Sequence, residues 1–216
     1  MSTGRSLIII VGIVAIAFAI TAMVYPRLPD QVASHWNARG KVDGWTGKGL
    51  GVFILPVTML GLTMLFMLLP LIDPLKRNIA SFRPYYDTFI IVFLAFLLAI
   101  QVQVLLWNLG RQISPNRFLP IPMGLLIYYA GVLIQHAKRN WFIGVRTPWT
   151  LSSDHVWEKT HLITGVLFKI CGALTVVGIA FEEHWLWLFI VPLLATTVFS
   201  VAYSYVLYRN EQREAH

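Results

Sequence analysis

The chain has 216 residues, of which 57% are hydrophobic and 12% charged, with a formal net charge of +7. An ordinary soluble domain is about one-quarter charged, so this composition excludes a soluble globular domain. It also makes nucleic acid a poor partner, because no compact basic domain exists to hold it.

The apolar residues come in runs of about 20, the length that crosses about 30 Å of hydrocarbon at 1.5 Å per residue. In chain order these predict spans at residues 7–25, 52–72, 88–109, 118–137, 162–181 and 185–208. The first follows Arg5 and runs about 19 residues, longer than the usual 7–15 of a signal-peptide core, so it reads as a retained helix. None of the runs alternates in polarity, which excludes a transmembrane barrel. The expected fold is an all-α membrane protein, a six-transmembrane-helix bundle forming one domain over residues 1–216. The lone cysteine, Cys171, falls in the fifth run and reads as a small residue in a helix contact.

Two connections are long. The first, residues 26–50, carries Pro26 and Pro29 against helix and Gly40, Gly44, Gly47, Gly49 and Gly51 for turns. It predicts a folded cap with Trp36 and Trp45 as its small core, or a recognition surface formed by Pro29, His35, Trp36, Asn37, Gly40, Asp43, Gly44 and Trp45. His35 with Asp30 or Asp43 is a weak metal set, since no second histidine is near. No metal and no cofactor is expected.

The second long connection, residues 138–161, contains NWFIGVRTPWTLSSDHVWEKTH. Thr147 before Pro148 fits a helix N-cap; alternatively Ser153 caps the helix, with Asp154 in its first turn. From Asp154 the chain reads as helix, with Trp157, Thr160, His161 and Thr164 on one face. Arg146 can fork onto Asp154 or Glu158 and fasten the loop to that helix, or grip lipid phosphate. Asn140, Gly144, Arg146, Thr147, Trp149, Thr150, Trp157, Glu158, Thr160 and His161 together predict a rigid platform.

Within the spans, Lys169 shares a stripe with Gly165 and Gly172. It is expected to face a neighbouring helix, with Gln101 and Gln103 as candidate partners, or to snorkel to the headgroups. His136 reads as capping helix carbonyls. Trp107, Trp141, Trp185 and Trp187 fall near helix ends and read as interfacial anchors. With the N-terminus inside, inner connections carry ten Lys and Arg and outer ones six, which favours both termini in the cytoplasm.

The run P-x-x-P-x-x-V-x-x-H-W-N-x-x-G-x-x-D-G-W-x-x-K, from Pro26 to Lys48, closely resembles the bacterial membrane domain DUF1648, here residues 1–72 with the outer loop. The run N-W-x-I-G-x-R-T-x-W-T-L from Asn140, then V-W-x-x-T-H to His161, resembles the SdpI-type immunity protein family, here residues 118–208 with the inner loop. The resemblance implies a multi-pass bacterial plasma-membrane protein without enzymatic activity. It implies protection against a secreted peptide toxin, and a toxin-engaged form that docks a transcriptional repressor at the cytoplasmic face. Two other readings stand beside it. One is a small transporter or channel using Lys169 and the helix-breaking Pro56, Pro120, Pro122 and Pro192. The weaker one is a membrane enzyme built on His35 with Asp30 and Asp43.

Overall fold

In lipid a backbone must satisfy its own hydrogen bonds, and the long apolar runs do so as helices. The computed structural model describes residues 3–214. Its long helices are α1 (Thr3–Val24), α2 (Lys48–Ile72), α4 (Arg83–Asn108), α6 (Pro120–His136), α8 (Asp154–Val177) and α9 (Trp185–Glu214). Short helices α3 (Lys76–Ser81), α5 (Pro115–Phe118) and α7 (Pro148–Ser152) lie in the connections. Among the described residues, five helices are long and apolar enough to cross a membrane: α1, α2, α4, α8 and α9. The remaining expected span, α6, has 17 residues, about 25 Å of helix.

The first long connection departs from the all-α expectation. It folds into an antiparallel hairpin, β1 (Gln31–Trp36) and β2 (Val42–Gly47). Val32, Val42 and Thr46 favour extended backbone, and Gly40, at φ +72°, takes the left-handed turn position that a side chain would strain. The register runs Gln31↔Gly47, Val32↔Thr46 and Ala33↔Trp45, then slips at His35↔Gly44. A two-stranded ribbon alone is marginal. This one is braced by Leu28 and Val32, which pack with Val52 and Leu105 in a small apolar cluster.

The two halves of the bundle pack differently. In the first, Ile10, Val14 and Ala17 of α1 meet Met59 of α2 and Tyr86, Ile90, Leu94 and Leu97 of α4 in a core of large side chains. In the second, contact depends on small residues. A Cβ on Gly131 would lie 2.5 Å from the Gly165 carbonyl oxygen, and one on Gly172 would lie 2.6 Å from that of Gly124. Two glycine pairs, each spaced seven residues apart on its helix, thus let α6 and α8 touch backbone to backbone. On the adjoining face of α8, Thr164 donates to Ser200 Oγ at 2.8 Å and Cys171 Sγ lies 3.3 Å from Thr196 Oγ1. Thr196, Ser200 and Ser204 are four residues apart, so hydroxyls line the buried stripe of α9. Cys171 is therefore the small helix-contact residue expected.

Candidate functional site

All six long helices alternate in direction, so the hairpin lies at one end of the bundle and residues 138–161 at the other. At the latter end the chain leaves α6 at Ala137 and turns at once around Asn140, which is fully buried. Its Oδ1 accepts from the Phe142 and Ile143 amides at 2.9 and 2.6 Å, and its Nδ2 donates to the Lys138 and Ile143 carbonyls. A side-chain amide has two donors and an acceptor with two lone pairs, so Asn140 substitutes for regular structure across this turn.

The next fixed point is His161. Its Nε2 accepts from the Val145 amide at 3.0 Å, so Nδ1 must carry the proton that bonds the Trp157 carbonyl at 2.7 Å. This arrangement requires neutral imidazole. The ring stacks on Trp157 at 3.9 Å, and the indole N–H donates to the Ala137 carbonyl at 2.7 Å. Both rings are 1% exposed. Gly144, at φ +110°, closes the turn over the imidazole, where a Cβ would come within 2.2 Å of Nε2. The motif glycine and the motif histidine are thus one packing unit.

Both alternative N-caps are used, one for each helix. Thr147 Oγ1 accepts from the Thr150 amide at 3.2 Å and Thr150 Oγ1 accepts from the Thr147 amide at 3.0 Å, a reciprocal box that starts α7. Ser153 Oγ accepts from Val156, starts α8, and donates to Glu211 of α9 at 2.9 Å. Trp149 packs on Tyr205 with ring centres 5.0 Å apart. Thr160 is buried, and its hydroxyl has no hydrogen-bond partner.

Arg146 does not pair with Asp154 or Glu158. Its guanidinium is exposed and donates to the Trp141 carbonyl at 2.7 Å. The two acids are taken by cations of the α6 exit, Lys138–Glu158 at 2.7 Å and Arg139–Asp154 at 3.0 Å. Those cations are nearer to the start of α8 because the Asn140 turn folds the chain back over it. The sequence reading missed Asp73, which caps α2. It is 2% exposed and accepts from the Leu75 and Trp141 amides at 2.6 and 2.9 Å. With Asn78, which donates to the Arg139 carbonyl at 2.7 Å, it ties the platform to the α2–α3 turn. A lone acid placed directly after an apolar run was the available signal.

At the hairpin end, Asn37 accepts from the Arg39 and Lys41 amides and shapes the turn. Gly40 lies against Ser114 and Asn116, and Asn116 donates to the Ala38 carbonyl at 2.9 Å. Asn108, at the end of α4, clamps Ala33 with two bonds of 2.7 and 3.1 Å. His35 and Asp43 pair at 2.5 Å but are exposed, and Asp30 pairs with Lys48 instead. Gly44 stands opposite His35, and Pro29 is exposed ahead of β1. Trp36 packs edge-on to Trp107 at 5.6 Å, whereas Trp45 is 62% exposed. The expected Trp36–Trp45 core is therefore replaced by a Trp36–Trp107 contact, because the strand register turns Trp45 to the outer face. A cleft of about 580 Å³ opens between the hairpin turn, residues 114–116 and residues 182–187, with Arg39 and Lys41 facing Glu182, Glu183 and His184.

Inside the bundle, Lys169 donates to Gln135 Oε1, and Gln135 in turn donates to the Leu162 carbonyl at 3.1 Å. Gln101 and Gln103 are not its partners. Gln101 is 1% exposed and joins three helices by donating to Thr21 Oγ1 and the Val52 carbonyl, while Gln103 reaches the Ile113 carbonyl. Both lie nearer the hairpin end, too far from Lys169. His136 does meet the Val132 carbonyl at 2.9 Å. Trp141 and Trp187 are exposed, but Trp185 is buried at 4%, packed over Gly178, and is not an interfacial anchor.

These geometries coincide with two matched segments. The domain of unknown function DUF1648 matches residues 12–60, and the SdpI/YfhL protein family matches residues 136–204. Immunity protein SdpI of Bacillus subtilis (strain 168) is 28% identical over 204 residues, 94% of this chain and 96% of that protein. No solved structure matches. The resemblance read from the two motifs is thus found by direct comparison, and the chain is a multi-pass bacterial membrane protein.

Proposed function

We propose that this chain, with its SdpI/YfhL segment and its DUF1648 segment, is a non-enzymatic membrane immunity protein that meets a secreted peptide at its hairpin end. The observation that carries this reading is the likeness to Immunity protein SdpI along 94% of the chain. The geometry agrees with it. Asn140, Trp157 and His161 spend their polar groups on the backbone of their own segment, which builds a framework rather than a reaction centre. The cleft between the hairpin turn and residues 182–187 offers charges of both signs and suits a short stretch of peptide.

In this reading α6 is the sixth crossing, since it lies backbone to backbone against the spanning α8. The hairpin faces outward, and the platform faces the cytoplasm. There the exposed Trp141 and Arg146 form a surface that a repressor protein could read. Lys169 serves as an interhelical tie to Gln135 rather than as a transport group. The test is expression in a peptide-sensitive bacterium, challenged with candidate secreted antimicrobial peptides. Survival at concentrations that kill the parent strain is expected. Killing curves identical to those of the empty strain, with the protein present in the membrane, would overturn the immunity reading. Labelling of Trp45 and Trp149 positions from a common side of the membrane would overturn the two-faced topology.

A further inference from the structure

At the platform end, beside the α2–α3 turn, lies a second cleft of about 500 Å³, lined by Pro70, Leu71, Lys76, Arg77, Ala80 and Arg83. Its three cations are not equivalent. Arg83 gives its Nε to the buried Asp87 at 2.5 Å and lies over the Tyr86 ring, so its orientation is fixed and its charge is balanced. The Lys76 and Arg77 side chains are exposed and meet no carboxylate among the described residues. Two uncompensated positive charges therefore border the cleft.

The other wall is apolar. Pro70, Leu71 and Ala80 form it, and Leu71 is 69% exposed on α2, whose last turns also expose Leu68 and Ile72 at 53 and 61%. An amphiphile with an anionic head and a long apolar tail matches both walls, whereas a free anion would leave the apolar wall unused. The opposite end of the molecule gives the contrast, since the Arg39 and Lys41 cleft there contains Glu182 and Glu183.

We propose that the Lys76–Arg77–Arg83 cleft is a binding site for an anionic phospholipid, its phosphate against the cations and one acyl chain along Leu71 and Leu68. The bound headgroup lies against α3, the helix whose Asn78 holds the Arg139 carbonyl, and so it braces the platform from the side. The site stands whether or not the protein confers immunity.

The full-length protein, purified in detergent, is titrated with phosphatidylglycerol and with phosphatidylcholine of the same chains, and bound lipid is counted by native mass spectrometry. Phosphatidylglycerol binds more tightly. The Lys76→Gln/Arg77→Gln double variant, which disturbs no described pairing, weakens it by about thirtyfold, the combined effect of two basic groups near an anionic surface. Lys41→Gln leaves it unchanged. Equal binding of the two lipids, an unaffected double variant, or displacement of the lipid by millimolar inorganic phosphate each overturns the assignment.

Discussion

The two ends of this molecule are both built from aromatic, glycine and polar residues, yet they use them oppositely. At the platform end most motif side chains are turned inward, with Trp141 and Arg146 left exposed. Asn140, Thr150, Trp157, Thr160 and His161 are all 1% exposed or less. At the hairpin end His35, Asp43 and Trp45 are turned outward, and the hairpin is held by residues outside its own motif, chiefly Asn108 and Asn116. A motif can thus be a recurrent scaffold or a presented surface, and residue type alone does not say which. Burial does.

The comparison is broken or sharpened by substitution, read as thermal melting of purified protein in detergent. The largest effect is expected at Gly144→Ala, where the new Cβ would collide with His161 at a positive φ. The cost is about 3 kcal/mol or more, from backbone strain and overpacking together, and an unchanged melt would show that the turn is free to rearrange. Next comes Trp157→Phe, which keeps a ring over His161 but orphans the Ala137 carbonyl, at about 1–3 kcal/mol. Asn108→Ala should cost a similar or smaller amount, because it removes two bonds to Ala33 at a part-buried site where water can replace some of them. The smallest is Asp43→Asn. The exposed pair with His35 contributes about 0–1 kcal/mol, so the melt should scarcely move. Peptide-challenge survival lost at Asp43→Asn with an unchanged melt would mark the hairpin face as functional. A large drop in its melting temperature would instead make the hairpin a scaffold like the platform.

Much of the fold was legible because hydrocarbon length is a crude and strong signal. The predicted spans fall on α1, α2, α4, α6, α8 and α9, and Thr147 and Ser153, read as alternative caps, both cap a helix, because capping is local. Lys169 was read as bundle-facing from its glycine neighbours, and it is. Pairing was read less well. Arg146 was matched to the nearest acids in sequence, but the Asn140 turn delivers Lys138 and Arg139 to them first. Lys169 was given Gln101 and Gln103, yet the close α6–α8 approach brings Gln135. The hairpin was obscured by glycines that read as mere turns, and Asp73 was passed over as part of a hinge.

The amino-acid order alone determined that this chain crosses a membrane, roughly where each helix begins, and which segments carry its two motifs. Those properties depend on transfer of apolar length into lipid and on hydrogen bonds between residues a few positions apart. The tertiary structure alone decided which motif residues are framework and which are presented, and where the basic residues lie free beside an apolar wall. Those properties arise from contacts between segments tens of residues apart, set by backbone approach at glycine and by a few buried amide and carboxylate groups that no local pattern specifies.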